Sequence, residues 1–329
     1  MYIIYVNASN LQQLYLRSEK MYRKIISILM LMCSLVTFSA CGNASVSSNN
    51  KAADKKESQG KIQVVVSFNA MREFVEAVGK DKVEVKTVIP NGTEPHEYEP
   101  KAKDLEDLNK AKVFVYNGLR MESWVDKSLK VINNKQLVVV EASKGFESIK
   151  NTDEGEIKEH GQNDPHVWVS LKGAEFEAKN IKEALVKVDP SNKDYYEKNY
   201  KDFSTQLNSL YNDYKKKFDT VTNKNFVTGH AAFAYLCRDF GLKQNSVEDV
   251  FAEGEPTTKK MEELINYCKQ NKIKTIFVED MVSPKVSDTL AKEVGAKVEK
   301  IYTIESKEDN KDYIQSMKSN LELIYNSLK

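Results

Sequence analysis

Hydrophobic positions from Lys61 onward alternate between two spacings along the first half of the chain. Short runs of β-branched and aromatic residues predict strands, and apolar residues three or four positions apart predict helices. The predicted strands are 62–66, 83–89, 113–116 and 136–140, and the predicted helices are 71–78, a short one around Leu105 and Leu108, and 124–131. Strands alternating with helices at this pitch indicate a parallel sheet flanked by helices.

The same alternation returns after residue 220. The predicted strands are 226–228, 275–278 and 298–302, and the predicted helices are 231–240, 261–271, 286–294 and 313–328. Between the two blocks, Asp189 and Pro190 have the residue types of a helix start. A stripe of apolar residues then runs from Tyr196 to Phe218, which predicts a helix packed along a core, with a coiled-coil dimer as the alternative. The fold class is therefore α/β: two lobes, each a parallel sheet flanked by helices, joined by one long helix.

The N-terminus has the pattern of a secretory signal. Arg23 and Lys24 precede the apolar segment 25–38, which is short for a membrane span, and Ser39-Ala40-Cys41 resembles a bacterial lipobox. We expect a signal peptide over 1–40, with Met21 as an alternative start, and a lipidated Cys41; an uncleaved anchor helix is the alternative. The remaining segments are a lipidated tether over 41–60, an N-terminal lobe over 61–188, a linking helix over 189–220 and a C-terminal lobe over 221–329.

Net charge bears on the class of partner, and cysteine content bears on disulfide formation. Lys plus Arg number 49 and Asp plus Glu 48, a net charge of +1, which argues against a nucleic-acid partner. Of the four cysteines, Cys237 and Cys268 lie outside the signal and lipid positions. We interpret both as small buried hydrophobic residues, with a disulfide between them as the alternative.

The chain has four histidines, and three of them lie in loops next to predicted strands or helices. Proline precedes His96 and His166, and glycine precedes His230, so the backbone at each is constrained. In open α/β sheets, ligands bind beyond the carboxyl ends of the strands, where such loops gather. These residues predict a three-histidine metal site. The fourth histidine, His160, lies in the polar, acidic segment 151–164 and is a candidate accessory metal contact.

Several local sequences resemble one family, in matching order. Segments 89–100, 164–168, 229–235 and 277–285 are similar to the metal-specific solute-binding proteins of ABC importers, cluster A-I, of the ZnuA/AdcA type. The resemblance extends from about residue 61 to the C-terminus. It implies a monomeric, lipid-anchored receptor outside the membrane bilayer that delivers metal to the membrane subunit of an ABC permease and is not an enzyme. It also implies a rigid linking helix.

The resemblance further implies a fourth, acidic ligand in a late loop. Here that position is Glu305, although Tyr302-Thr303 replaces the Asn-Pro usual in the zinc-type members. Asp280 and Glu279 are the reserve candidates.

Three imidazoles and one carboxylate suit Zn²⁺, whereas Mn²⁺ prefers more oxygen ligands. Zinc-type members carry a histidine where manganese-type members carry an acid, and His230 stands at that position. The expected ligand is therefore transported Zn²⁺. The alternatives are a Mn²⁺ receptor, a surface adhesin with a structural zinc site, and a zinc hydrolase, which the absence of a His-Glu-x-x-His sequence disfavours.

Overall fold

The computed structural model describes residues 60–151, 157–158, 161–251, 256–280 and 283–329. The expected signal peptide, Cys41 and His160 lie outside the described residues. Residues from 60 onward belong to one compact unit. No helix within the described ranges is long and apolar enough to cross a membrane.

The first half of this unit is built on a parallel four-stranded sheet, as predicted. Its spatial order is β2-β1-β3-β4, and each neighbouring pair is parallel. The strands are β1 (Ile62–Val66), β2 (Val83–Thr87), β3 (Val113–Tyr116) and β4 (Val138–Glu141), and the helices between them are α1 (Asn69–Gly79), α2 (Ala102–Lys110) and α3 (Val125–Val131). Central strands β1 and β3 are almost wholly apolar because helices or loops cover both of their faces.

The second half repeats the arrangement with the order β6-β5-β7-β8, again all parallel. The strands are β5 (Asn225–Thr228), β6 (Lys243–Ser246), β7 (Thr275–Val278) and β8 (Lys297–Lys300), and the helices are α6 (Ala234–Phe240), α7 (Thr258–Gln270), α8 (Pro284–Val294) and α9 (Tyr313–Ser327). Strand β6 has the sequence Lys-Gln-Asn-Ser at an edge of the sheet. No apolar run marks it, which is why the hydrophobic pattern did not predict it.

Two consecutive helices, α4 (Leu171–Val188) and α5 (Lys193–Thr220), connect the halves. The pattern predicted α5 but assigned no element to α4. The buried face of α4 includes Gly173, Ala174, Glu177 and Ala178, so its apolar stripe is interrupted by small residues and a carboxylate. Helix α5 buries its stripe within the chain, against α1, α4 and α9. Packing along a core is therefore confirmed, and the coiled-coil alternative is wrong.

Hydrogen bonds from large aromatic side chains tie the two halves together. The Trp168 indole N–H donates to the Thr303 carbonyl at 2.7 Å, and the Tyr313 hydroxyl donates to the Trp168 carbonyl at 2.7 Å. The Tyr235 hydroxyl donates to the Asp164 carbonyl at 2.6 Å. All three side chains are fully buried. The two sheets thus lie in one compact unit, and the lobe boundaries stay predictions.

The two described cysteines are buried and unpaired. Cys268 packs with Leu264 and Leu290 in a small core beneath α7 and α8, as the interpretation as a hydrophobic residue predicts. The disulfide alternative is wrong for this structure.

Candidate metal centre

The three predicted histidines meet between the two sheets. One ring nitrogen from each of His96, His166 and His230 lies within 4.8 Å of the other two. Their ring centroids are 4.8 to 5.7 Å apart. His96 follows β2, His166 precedes α4 and His230 follows β5, so two come from the first half of the chain and one from the second.

A buried carboxylate orients His166. The His166 Nδ1–H donates to Asp164 Oδ1 at 2.8 Å, and the backbone N–H of His166 donates to the same oxygen at 2.9 Å. With the proton on Nδ1, the lone pair lies on Nε2. That Nε2 is 3.8 Å from Glu305 Oε1. The Asp164 carboxylate therefore leaves the unprotonated nitrogen of His166 facing Glu305, as outer carboxylates orient histidines in metal sites.

His230 is held by its backbone and its ring. Its backbone N–H donates to Glu279 Oε1 at 3.3 Å, and its Nε2–H donates to the Val250 carbonyl at 2.8 Å. Burial, followed by electrostatic repulsion between the two imidazoles of His230 and His166, lowers the pKa of His230 to about 3. A ring with this pKa is neutral at physiological pH, which is the form that binds a metal ion.

Glu305 is positioned by a constrained turn. The preceding residue, Ile304, has φ = 64°, a left-handed conformation that is rare and costly for a β-branched residue. The Thr303 hydroxyl donates to Glu305 Oε2 at 2.7 Å. Glu305 Oε1 has no hydrogen-bond partner among the described residues, although the side chain is buried, and burial raises the pKa of Glu305. An oriented, buried carboxylate oxygen beside His166 is suited to a cation.

The turn before Glu305 is fixed from both sides without the Asn-Pro of the zinc-type pattern. Asn320 on α9 accepts the Tyr302 backbone N–H at 2.9 Å, and its amide donates to the Tyr302 carbonyl at 2.7 Å. The Trp168 indole bonds the next carbonyl, that of Thr303. Tyr302-Thr303 therefore still holds Glu305 beside His166.

The structure places the two reserve acids, Glu279 and Asp280, in different surroundings. Glu279 is buried behind His230, and burial raises its pKa well above the ordinary value. The Asp280 side chain is 49% exposed and forms an ion pair with Lys300 at 2.7 Å, so the structure does not bring Asp280 to the histidines. The structure thus groups the three histidines and places Glu305 3.8 Å from one of them, His166. Three imidazoles and one carboxylate are a donor set typical of a closed, four-coordinate zinc site.

Comparison with known proteins identifies the family. The model of the family described as "Zinc-uptake complex component A periplasmic" (ZnuA) matches residues 64–327. The chain belongs to the ZnuA family. A putative metal-binding protein of Treponema pallidum is 41% identical, with 80% of this chain and 86% of that protein covered. The high-affinity zinc uptake system protein ZnuA of Bacillus subtilis is 38% identical, with 94% of this chain and 99% of that protein covered.

Solved structures of the ZnuA type share the fold. The Zn(II)-bound ZnuA-like domain of Streptococcus pneumoniae AdcA is 34% identical, with a TM-score of 0.70, and 82% of this chain and 99% of that chain are covered. The laminin-binding protein Lmb of Streptococcus agalactiae, described as bifunctional with adhesin and metal-transporting activity, is 34% identical, with a TM-score of 0.74 and coverage of 82% and 100%. The predicted fold class and family are thereby confirmed.

Two residues near the ZnuA-type centre were not singled out by the sequence analysis. Glu94, two positions before His96, has its pKa raised to about 7, mainly by burial, and the Glu305 charge adds to the effect. Its position beside a predicted ligand was the available hint. The Phe251 ring packs against His96 with centroids 5.3 Å apart. That contact depends on a crossing between the two halves of the chain, so no local pattern indicates it.

Proposed function

We propose that this protein is an extracytoplasmic, high-affinity Zn²⁺ receptor that delivers the ion to an ABC-type import permease. The observation that carries the proposal is the convergence of three buried histidines, with the oriented carboxylate of Glu305 beside one of them, His166. The named function of the Bacillus subtilis relative, high-affinity zinc uptake, supports it. Zn²⁺ is then the transported ligand of the protein, so the protein must bind the ion tightly and also release it to the permease.

The four side chains that we propose as ligands come from both halves of the chain. His96 and His166 would hold it from the first half of the chain, and His230 and Glu305 from the second. The ion would then bridge the two sheets, and its binding would favour the closed arrangement of the halves. The Asp164 and Thr303 hydrogen bonds fix two of the ligands before the ion arrives, which reduces the ordering cost of binding.

The donor set also bears on the alternatives. A Mn²⁺ receptor would favour more oxygen ligands than one carboxylate among three imidazoles. A zinc hydrolase needs an open coordination position for water, and Glu305 would occupy the fourth position here. The adhesin alternative concerns surfaces away from this centre and is compatible with zinc capture.

Calorimetric titration of the metal-stripped protein tests the proposal. We expect one tight Zn²⁺ site per chain and much weaker Mn²⁺ binding. His230→Ala and Glu305→Ala should each weaken Zn²⁺ binding by at least about 100-fold, beyond the loss typical for outer-sphere residues. Asp280→Ala and the exposed Glu322→Ala serve as controls and should leave binding unchanged. Unchanged binding in Glu305→Ala with a loss in Asp280→Ala would assign the fourth ligand to Asp280, and no Zn²⁺ binding by the wild type would refute the proposal.

The location outside the membrane follows the ZnuA family, and anchoring is a finer part of the proposal. We propose that Cys41 carries the lipid and that the chain acts as a monomer. The support is the signal-like segment 25–38 followed by Ser39-Ala40-Cys41. Membrane fractionation of Cys41→Ala checks the anchor, since the variant should leave the membrane fraction.

A further inference from the structure

One segment after β6 covers the metal centre. We call residues 247–251 the covering segment. Three backbone hydrogen bonds join it to the turn that carries His230: Val247 N–H to the Thr228 carbonyl at 3.0 Å, Glu248 N–H to the Gly229 carbonyl at 2.7 Å, and Ala231 N–H to the Asp249 carbonyl at 3.2 Å. The covering segment is therefore attached to the second half of the chain, alongside one of the expected ligands.

The end of the covering segment contacts two of the three histidines. The Val250 carbonyl accepts the His230 Nε2–H at 2.8 Å. The next residue, Phe251, places its ring edge-to-face on His96, with centroids 5.3 Å apart and an interplanar angle of 75°. Phe251 is 2% exposed and His96 is 7% exposed. A single dipeptide thus links a ligand of the second half to a ligand of the first.

The chemistry of Phe251 differs from that of its neighbours in the centre. Its ring offers no metal-binding atom, whereas His96, His166, His230 and Glu305 all do. An apolar ring beside His96 excludes water from that ligand. An incoming ligand, water or another donor, that replaces one of the protein ligands assists the release of a bound ion. The edge-to-face contact also restricts rotation of the His96 ring.

We propose that Phe251 closes the metal centre and sets the rate at which bound Zn²⁺ leaves. The inference rests on the proposed function, because it assumes that Zn²⁺ binds at the histidines. Since mutational changes in affinity appear mostly in the dissociation rate, removing the ring should speed release more than it slows capture. The ligands themselves remain in place.

Stopped-flow release of Zn²⁺ to excess chelator tests the inference. Phe251→Ala should release Zn²⁺ about 5- to 10-fold faster than the wild type, in line with the loss of one aromatic pair. Phe251→Leu, which keeps an apolar side chain, should show a smaller increase and serves if the alanine variant does not fold. The matched control is Phe176→Ala, which removes an aromatic pair with the same 5.3 Å centroid separation, Phe146 with Phe176. It should release Zn²⁺ at the wild-type rate.

One further readout separates closure from a general structural role. The absorption spectrum of bound Co²⁺ should be the same in Phe251→Ala and the wild type, since no ligand is changed. A wild-type release rate in both Phe251 variants, or an altered Co²⁺ spectrum, would overturn the inference. Either of these two outcomes would leave the proposed function intact. Absence of Zn²⁺ binding by the wild-type protein would instead refute the proposed function itself.

Discussion

At the scale of single residues, the outer contacts of the candidate metal centre decide how its expected ligands point. Asp164 sets the tautomer of His166, Thr303 turns the Glu305 carboxylate, and Glu279 accepts the backbone N–H of His230. Each of these acceptors or donors is buried, so water does not compete for it. A site arranged in this way loses little freedom when an ion binds.

Asp164→Asn should weaken Zn²⁺ binding by about 10- to 100-fold, the usual cost of losing an outer carboxylate. The amide of asparagine can donate to His166 Nδ1, which would move the ring proton to Nε2 and block the metal-binding nitrogen. Calorimetry measures the change, and circular dichroism checks that the fold is retained. The exposed Asp126→Asn is the control. Equal affinity in Asp164→Asn and the wild type would show that Asp164 does not orient His166.

The sequence predicted some of these residues and not others, for physical reasons. His96, His166 and His230 follow proline or glycine in loops beside strands, and local pattern is enough to find them. Glu305 came from family resemblance, because its approach to His166 depends on a turn 139 positions later in the chain (305 − 166). Phe251 had no local signal, because its contact with His96 exists only after the two halves assemble.

At the scale of elements, helix α4 fixes the turn that carries His166. Ser170 caps the helix by accepting the Gly173 N–H, and the turn 167–169 lies against the first residues of the helix. A Cβ at Gly173 would lie 2.0 Å from the Val167 carbonyl oxygen. Position 173 therefore requires glycine, because the backbone of helix α4 approaches the backbone of the turn at Val167 too closely for a side chain. The same glycine weakened the helical pattern, which explains why α4 was not predicted.

Gly173→Ala should lower the free energy of unfolding by about 1 to 3 kcal/mol, the range for an overpacked site. The clashing atom belongs to the backbone, so it cannot rotate away, and relief requires the turn beside His166 to shift. Urea denaturation of the metal-free protein measures the loss. Lys179→Ala, at an exposed position of the same helix, should be near neutral. A fully stable Gly173→Ala would mean that α4 can move without cost.

At the scale of the whole molecule, a buried pair of acids makes stability depend on pH. Burial raises the pKa of Glu122 to about 7 and raises that of Glu177 well above its ordinary value, with the Glu122 charge adding to the second shift. Glu177 is fully buried, and its carboxylate has no hydrogen-bond partner among the described residues. The folded protein therefore binds protons that the unfolded chain has already released above pH 4.5.

The direction in which stability changes with pH follows from this difference in proton binding. The free energy of unfolding should fall as pH rises from about 4.5 through 7, because the unfolded chain binds fewer protons over that range. Glu177→Gln should flatten the decline and should be more stable than the wild type at pH 8 by about 1 to 3 kcal/mol, since no buried charge forms. Urea denaturation of the metal-free protein at pH 5.5 and 8 measures both effects. The exposed Glu322→Gln should keep the wild-type dependence, and the same slope in Glu177→Gln would contradict the assignment.

The placement of the expected ligands has a consequence for the lifetime of the protein. His96 and Glu305 lie near opposite ends of the described chain, so an ion held by both would act as a reversible cross-link over most of its length. An ion that binds only the folded chain, at 100 times its dissociation constant, adds about 2.7 kcal/mol to stability. The loaded protein would then open less often to extracellular proteases than the empty one. Zinc supply would thereby regulate the abundance of its own receptor without any change in gene expression.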